Sequence, residues 1–74
     1  MDPYKNLNGN SPITAYELSP DSIRVQFPGR SYLYTYESAG KENVEEMKRR
    51  AIEGRGLASF ISQNRLVHFG YVPE

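Results

Sequence analysis

The sequence has no cysteine and only one histidine, His68. Without thiols, neither a disulfide framework nor a thiolate zinc site can brace the fold, and a lone imidazole cannot assemble a multi-histidine metal centre. An excess of one charge is missing as well. Nine Lys and Arg balance nine Asp and Glu, so the protein as a whole has no strong field to gather nucleic acid or an anionic membrane, and any such attraction has to be local. No apolar run approaches the length of a bilayer span, and Met1 to Asn10 lack the basic and apolar blocks of a signal peptide. These absences predict a cytoplasmic protein with no metal, no cofactor and no membrane partner, held together by packing alone. At 74 residues there is room for one modest core.

Residues 1–12 are polar, hold Pro3, Pro12 and an Asn8-Gly9 turn signal, and show no period, which predicts a flexible N-terminal arm with Tyr4 and Leu7 as its docking residues. A single domain is expected over 13–72. Ile13 to Leu18 is β-prone, Ser19 to Ser22 is turn chemistry, and Ile23, Val25 and Phe27 then alternate with Arg24 and Gln26, as in a hairpin with one buried face. After Pro28-Gly29, Tyr32, Tyr34 and Tyr36 alternate with Leu33 and Thr35 over a third strand from Ser31 to Glu37.

From Lys41 the period becomes helical, with Val44, Met47, Ala51 and Ile52 on one stripe and Gly54 and Gly56 ending it. Early glutamates and late basic residues match the helix dipole, and predict Glu45-Arg49 and Glu46-Arg50 ion pairs. A second helix is expected from Leu57 to about Asn64, facing the core with Leu57, Phe60 and Ile61. In Leu66 to Val72, Val67, Phe69 and Tyr71 alternate with His68 and Gly70, as in a fourth, edge strand stopped by Pro73. The expected fold class is α+β: a three- or four-stranded antiparallel meander with two helices packed on one face.

Catalytic chemistry is sparse. Ser11, Ser59 and Ser62 would need an adjacent base, and no motif places His68 beside any of them. Gly40-Lys41 lacks the upstream glycine and following Ser or Thr of a phosphate loop, and the helix carboxylates have cationic neighbours. The protein is expected not to be an enzyme.

The tyrosine-rich strand and nearby cations are the candidate binding surface, and their placement depends on register. With a two-residue loop at Pro28-Gly29, Phe27 pairs with Arg30, Val25 with Tyr32 and Ile23 with Tyr34, so the tyrosines join the core. With a three-residue loop, Tyr32 and Tyr34 stand beside Arg24 and Gln26 on the open face, where aromatic rings could stack unpaired bases. Core volume favours the first arrangement, because the third strand would otherwise give only Leu33 and Thr35 to a small core. Lys48 lies within the buried arc of its helix, either as a stem covering the core or as a cation at a groove lip, and Arg55 and Arg65 could extend a basic patch. Two functions follow. One is a nucleic-acid-binding surface made of Arg24, Tyr32, Tyr34, Lys48 and Arg55. The other is a protein-interaction or self-association module using the sheet edge and the apolar tail Val67, Phe69 and Tyr71.

The order of features, Ser11-x-Ile13, Tyr16, Ile23-x-Val25-x-Phe27, Gly29, Tyr32-x-Tyr34, then Ala51, Gly56 and Phe60, resembles the KTSC domain over about Ser11 to Arg65. Its central Tyr-x-Tyr motif is met at Tyr32-Leu33-Tyr34 and again at Tyr34-Thr35-Tyr36, with Glu37-Ser38-Ala39-Gly40 standing where Val-Pro often follows. That short domain occurs at the C-terminus of some lysyl-tRNA synthetases and alone in small bacterial and phage proteins. The resemblance implies single-stranded RNA or tRNA as a partner and transfers no catalytic residue.

Overall fold

The computed structural model describes residues 1–9 and 11–73. Among these residues the protein forms strands β1 (Asp2–Pro3), β2 (Ala15–Ser19), β3 (Ser22–Phe27), β4 (Arg30–Thr35) and β5 (Tyr71–Pro73). Four helices, α1 (Tyr36–Ala39), α2 (Lys41–Glu53), α3 (Leu57–Gln63) and α4 (Arg65–His68), lie between the last two strands. The sheet is antiparallel, and its spatial order is the sequence order β1-β2-β3-β4-β5. The helices pack on one face, giving the expected α+β architecture; the expected C-terminal edge strand is present as the short β5, and β1 adds a fifth strand at the other edge.

Strand alternation decides which face is covered. Ile23 and Val25 of β3 are fully buried and Tyr34 of β4 is 2% exposed, while Arg24 and Gln26 point the other way. Phe27 pairs with Arg30, Val25 with Tyr32 and Ile23 with Tyr34, so Pro28 and Gly29 make a two-residue loop with Gly29 at φ 78°. The helices answer with Val44, Met47 and Ala51 of α2, Leu57 and Ile61 of α3, and Val67 of α4, all buried. Ile52, expected on the α2 stripe, is instead 54% exposed, because Met47 and Ala51 centre the buried arc and leave its neighbour outside.

The third strand is shorter than its alternation suggests. It stops at Thr35, whose hydroxyl accepts from the Ser38 backbone N–H at 2.9 Å while the Ser38 hydroxyl accepts from the Thr35 N–H at 2.9 Å. This reciprocal cap starts α1, and takes Tyr36 and Glu37 out of the sheet. Along α2, Arg50 pairs with Glu46 at 2.7 Å as expected. Arg49 turns to Glu46 and Glu53 rather than Glu45, which is held by Lys48 at 3.1 Å and by the Tyr36 hydroxyl at 2.6 Å.

Two further segments differ in part from expectation. In the N-terminal segment Tyr4 docks as expected: it is buried, its N–H donates to the Thr14 carbonyl at 3.0 Å, and its hydroxyl accepts from the Leu57 N–H at 3.3 Å. Those bonds extend the sheet and tie the N-terminus to α3; Leu7 donates its N–H to the Gly54 carbonyl but leaves its side chain exposed. In the tail, Leu66 to His68 form a helical turn instead of a strand, because the Asn64 carboxamide caps α4 by accepting from the Val67 N–H at 3.3 Å. Gly70 then allows the backbone to reach the sheet. A Cβ there would lie 2.4 Å from the carbonyl oxygens of both Leu66 and Ser38, an approach open only to glycine.

Candidate functional site: an aromatic groove

The register of β4 places Arg30, Tyr32 and Tyr34 on the helix side of the sheet, with Phe27 opposite Arg30 and Tyr71 opposite Tyr34. Between this part of the sheet and residues of α3 and α4 is an open groove of about 590 Å3. Phe27, Tyr32, Tyr34 and Tyr71 line its sheet side, Ala58, Ser59, Ile61 and Ser62 of α3 form the opposing wall, and Pro12, His68 and Phe69 complete it. Tyr32 sits between two rings edge to face, with centroids 5.6 Å from Phe27 and 4.6 Å from Tyr71, the arrangement that ring quadrupoles favour. Phe69, 71% exposed, stands against His68 in the same geometry.

Arg30 Nη1 donates to the Tyr32 hydroxyl at 2.9 Å, and that bond, with the Tyr32 and Tyr71 phenols nearby, raises the guanidinium pKa above its ordinary value. Burial pushes the Tyr34 phenol up to about 12, with smaller contributions from the Tyr32 and Tyr71 phenols. The hydroxyls of Tyr34 and Tyr71 make no hydrogen bond among the described residues, so both are free to meet a ligand. No acidic side chain is among the residues lining the groove.

Ser59, Ser62 and His68 share the groove, yet the Ser62 hydroxyl donates to the Ser59 carbonyl at 3.1 Å, and among the described residues no bond joins either serine to the imidazole. No group of three or more His, Cys, Asp or Glu able to hold a metal occurs among the described residues, and none of their helices is long and apolar enough to cross a membrane.

The five residues expected to form a nucleic-acid surface are not brought together. Arg24 lies on the face away from the helices, ion-paired to Glu17 on the neighbouring strand. Tyr34 is core and Tyr32 is a half-buried groove residue, which follows from the two-residue loop. Lys48 is spent on the fold: its ammonium donates to the carbonyls of Ser19 at 2.6 Å and Pro20 at 3.1 Å, and lies 5.6 Å from the centre of the Tyr36 ring. Arg55 is exposed in the turn between α2 and α3.

The alternative set is divided too. Val67 of α4 is fully buried, so it belongs to the core, whereas Phe69 and Tyr71 are exposed and both line the groove. Phe27, expected only as a core residue, lines the groove, and Arg30, not expected at any site, is bonded to its Tyr32. Strand alternation puts residue 30 on the face of Tyr32 and Tyr34, and the two-residue loop, by pairing it with Phe27, puts that face on the helix side. Comparison with family models, with curated proteins and with solved structures finds no match.

Proposed function

We propose that this protein is a non-catalytic binding module that captures an apolar segment of a protein partner in the aromatic groove. The observation that carries this reading is the exposure of Phe69 (71%) and Tyr71 (39%) around a groove whose floor is already apolar. A small domain gains nothing for its own stability by holding large rings in water at the mouth of a concave site, and aromatic clusters of this kind are where partner side chains anchor. The outer edge of β5 lies beside the groove, so a partner strand has main-chain groups to pair with next to the pocket that would hold its side chains. The KTSC resemblance and its RNA partner stay a second proposal, supported by the Tyr-x-Tyr strand. Their weakness is cationic: single-strand binding needs a track of basic groups beside the rings, and Arg24 and Lys48 point elsewhere or are engaged.

The test is selection of random peptides displayed against the folded protein and against the double variant Phe69→Ser, Tyr71→Ser, with thermal unfolding of both recorded. Expected is enrichment of peptides rich in apolar residues that bind the parent and not the variant. Selected peptides that bind both proteins equally would overturn the groove reading. Salt-sensitive NMR shifts with a mixed-sequence single-stranded RNA, centred on Arg24, Lys48 and Arg55, would replace it with the nucleic-acid one.

A further inference from the structure

Arg30 differs from the arginines that are ion-paired, and unlike Arg55 and Arg65, which also have no carboxylate partner among the described residues, it is bonded to a ring of the groove. Arg24 holds Glu17, Arg49 holds Glu46 and Glu53, and Arg50 holds Glu46, each a carboxylate. Arg30 holds a phenol, and has no carboxylate partner among the described residues. That bond uses one N–H of a guanidinium that has five, and anchors the rest of the fork beside a groove with no acid in its lining. The Tyr34 and Tyr71 hydroxyls of the same groove are unspent donors. A cation bonded to one phenol of the groove lining, with two unspent phenols in the same lining, forms an incomplete site, and the missing component is an anion bonded to an apolar body.

Resting on the peptide-capture reading above, we infer that the segment taken by the groove is a free C-terminus of the partner, its carboxylate on Arg30 and its last, apolar side chain among Tyr32, Tyr34, Tyr71 and Phe69. Geometry favours a terminus over an internal acidic side chain. Same-face neighbours on a strand stand about 7 Å apart. A terminal residue spans that gap by itself, since its carboxylate and its large side chain share one Cα. An internal aspartate or glutamate would need a second residue, correctly turned, to fill the trough. The planar fork of Arg30 matches a carboxylate in two-point contact, and the phenols of Tyr34 and Tyr71 can donate to the same oxygens or to the preceding carbonyl.

The experiment displays one random heptapeptide library in two formats: ending in a free carboxylate, and with the same heptapeptides followed by a fixed extension that removes the end. The expected result is enrichment from the free-end format alone, with large apolar residues at the last position. Synthetic peptides from that pool should bind at least about tenfold more weakly as C-terminal amides, the loss of one hydrogen-bonded charge contact. In the Arg30→Gln variant the acid and amide forms should bind equally; Arg30 is exposed at a turn and pairs with Phe27 through the backbone, so this change leaves the fold in place. Equal enrichment from both formats, or an acid preference that survives Arg30→Gln, overturns the terminus inference while leaving peptide capture standing. Enrichment from neither format removes peptide capture and the inference together.

Discussion

Tyr34 carries the sharpest quantitative test of the fold, because its ring and its hydroxyl are predicted to behave in opposite ways. The ring is 2% exposed and faces Ile23 across the strand pair, so Tyr34→Ala should cost about 3–5 kcal/mol, as for other large aromatic deletions in cores. A domain of 74 residues has only about 4–11 kcal/mol to lose, so this variant should be close to unfolded at 25 °C. The hydroxyl has no hydrogen-bond partner among the described residues, and Tyr34→Phe should therefore stay within about 1 kcal/mol of the parent at neutral pH. Alkali separates the two proteins further. The folded phenol titrates at about 12 against an ordinary 10.0, so the folded state holds this proton more tightly than the unfolded polypeptide does. The contribution is intact below pH 10 and disappears as pH rises toward 12. With solvent screening at the groove mouth allowed for, the parent loses about 2 kcal/mol over that window and Tyr34→Phe loses none of it. Urea unfolding followed by circular dichroism from pH 7 to about 11.5 measures all three proteins. A Tyr34→Ala midpoint equal to the parent's would place the ring outside the core and refute the register argument. Parallel alkaline losses in the parent and Tyr34→Phe would refute the burial of the phenol.

Three other outcomes follow from the same geometry. Gly70→Ala should cost about 1–3 kcal/mol and broaden the amide signals of Tyr71 and Val72, since the new methyl meets two carbonyl oxygens at 2.4 Å; an unperturbed spectrum would contradict that packing. Thr35→Ala removes the reciprocal cap of α1 and should lower stability by about 0.5–2 kcal/mol in chemical denaturation, whereas Thr35→Ser should recover most of it. The Glu46 carboxyl, held down to about 2 by hydrogen bonds from Arg49 and Arg50, should titrate far below its ordinary 4.5 in carbon-detected NMR. Its contribution to stability is present above pH 4.5 and lost as pH falls toward 2; a midpoint near 4.5 would show that the two arginines do not hold it.

The parts of the fold legible in the sequence were those set by one local period. Ile23, Val25 and Phe27 fixed the buried face of β3, and Val44, Met47 and Ala51 fixed that of α2, because side-chain direction repeats within each element. The elements that could not be read are those where short-range chemistry overrides the period. Thr35 and Ser38 satisfy each other's backbone groups and break an alternation that continues through Tyr36, and Asn64 caps a turn of helix inside an apparent strand. Tyr4 was legible only as an apolar residue in a polar segment, since its partner, the Leu57 N–H, is 53 residues away. The groove suffered from the same limit. Its sheet side follows from the loop length at Pro28-Gly29, but its helix side depends on where α3 and α4 sit, which no residue pattern in either helix states.

The placement of all four helices between β4 and β5 has a kinetic consequence. Strands β2, β3 and β4 meet through two-residue turns, whose closure is cheap in entropy, so this hairpin pair can assemble from neighbouring segments. Strand β5 can pair with β4 only after a connection running from Thr35 to Tyr71 has been brought round, and the helices must dock to shorten it. Tyr71, Phe69 and the α3 wall therefore reach Arg30 and Tyr32 in the closing step of folding, and local opening at β5 is enough to dismantle the groove while the meander beneath it stays paired.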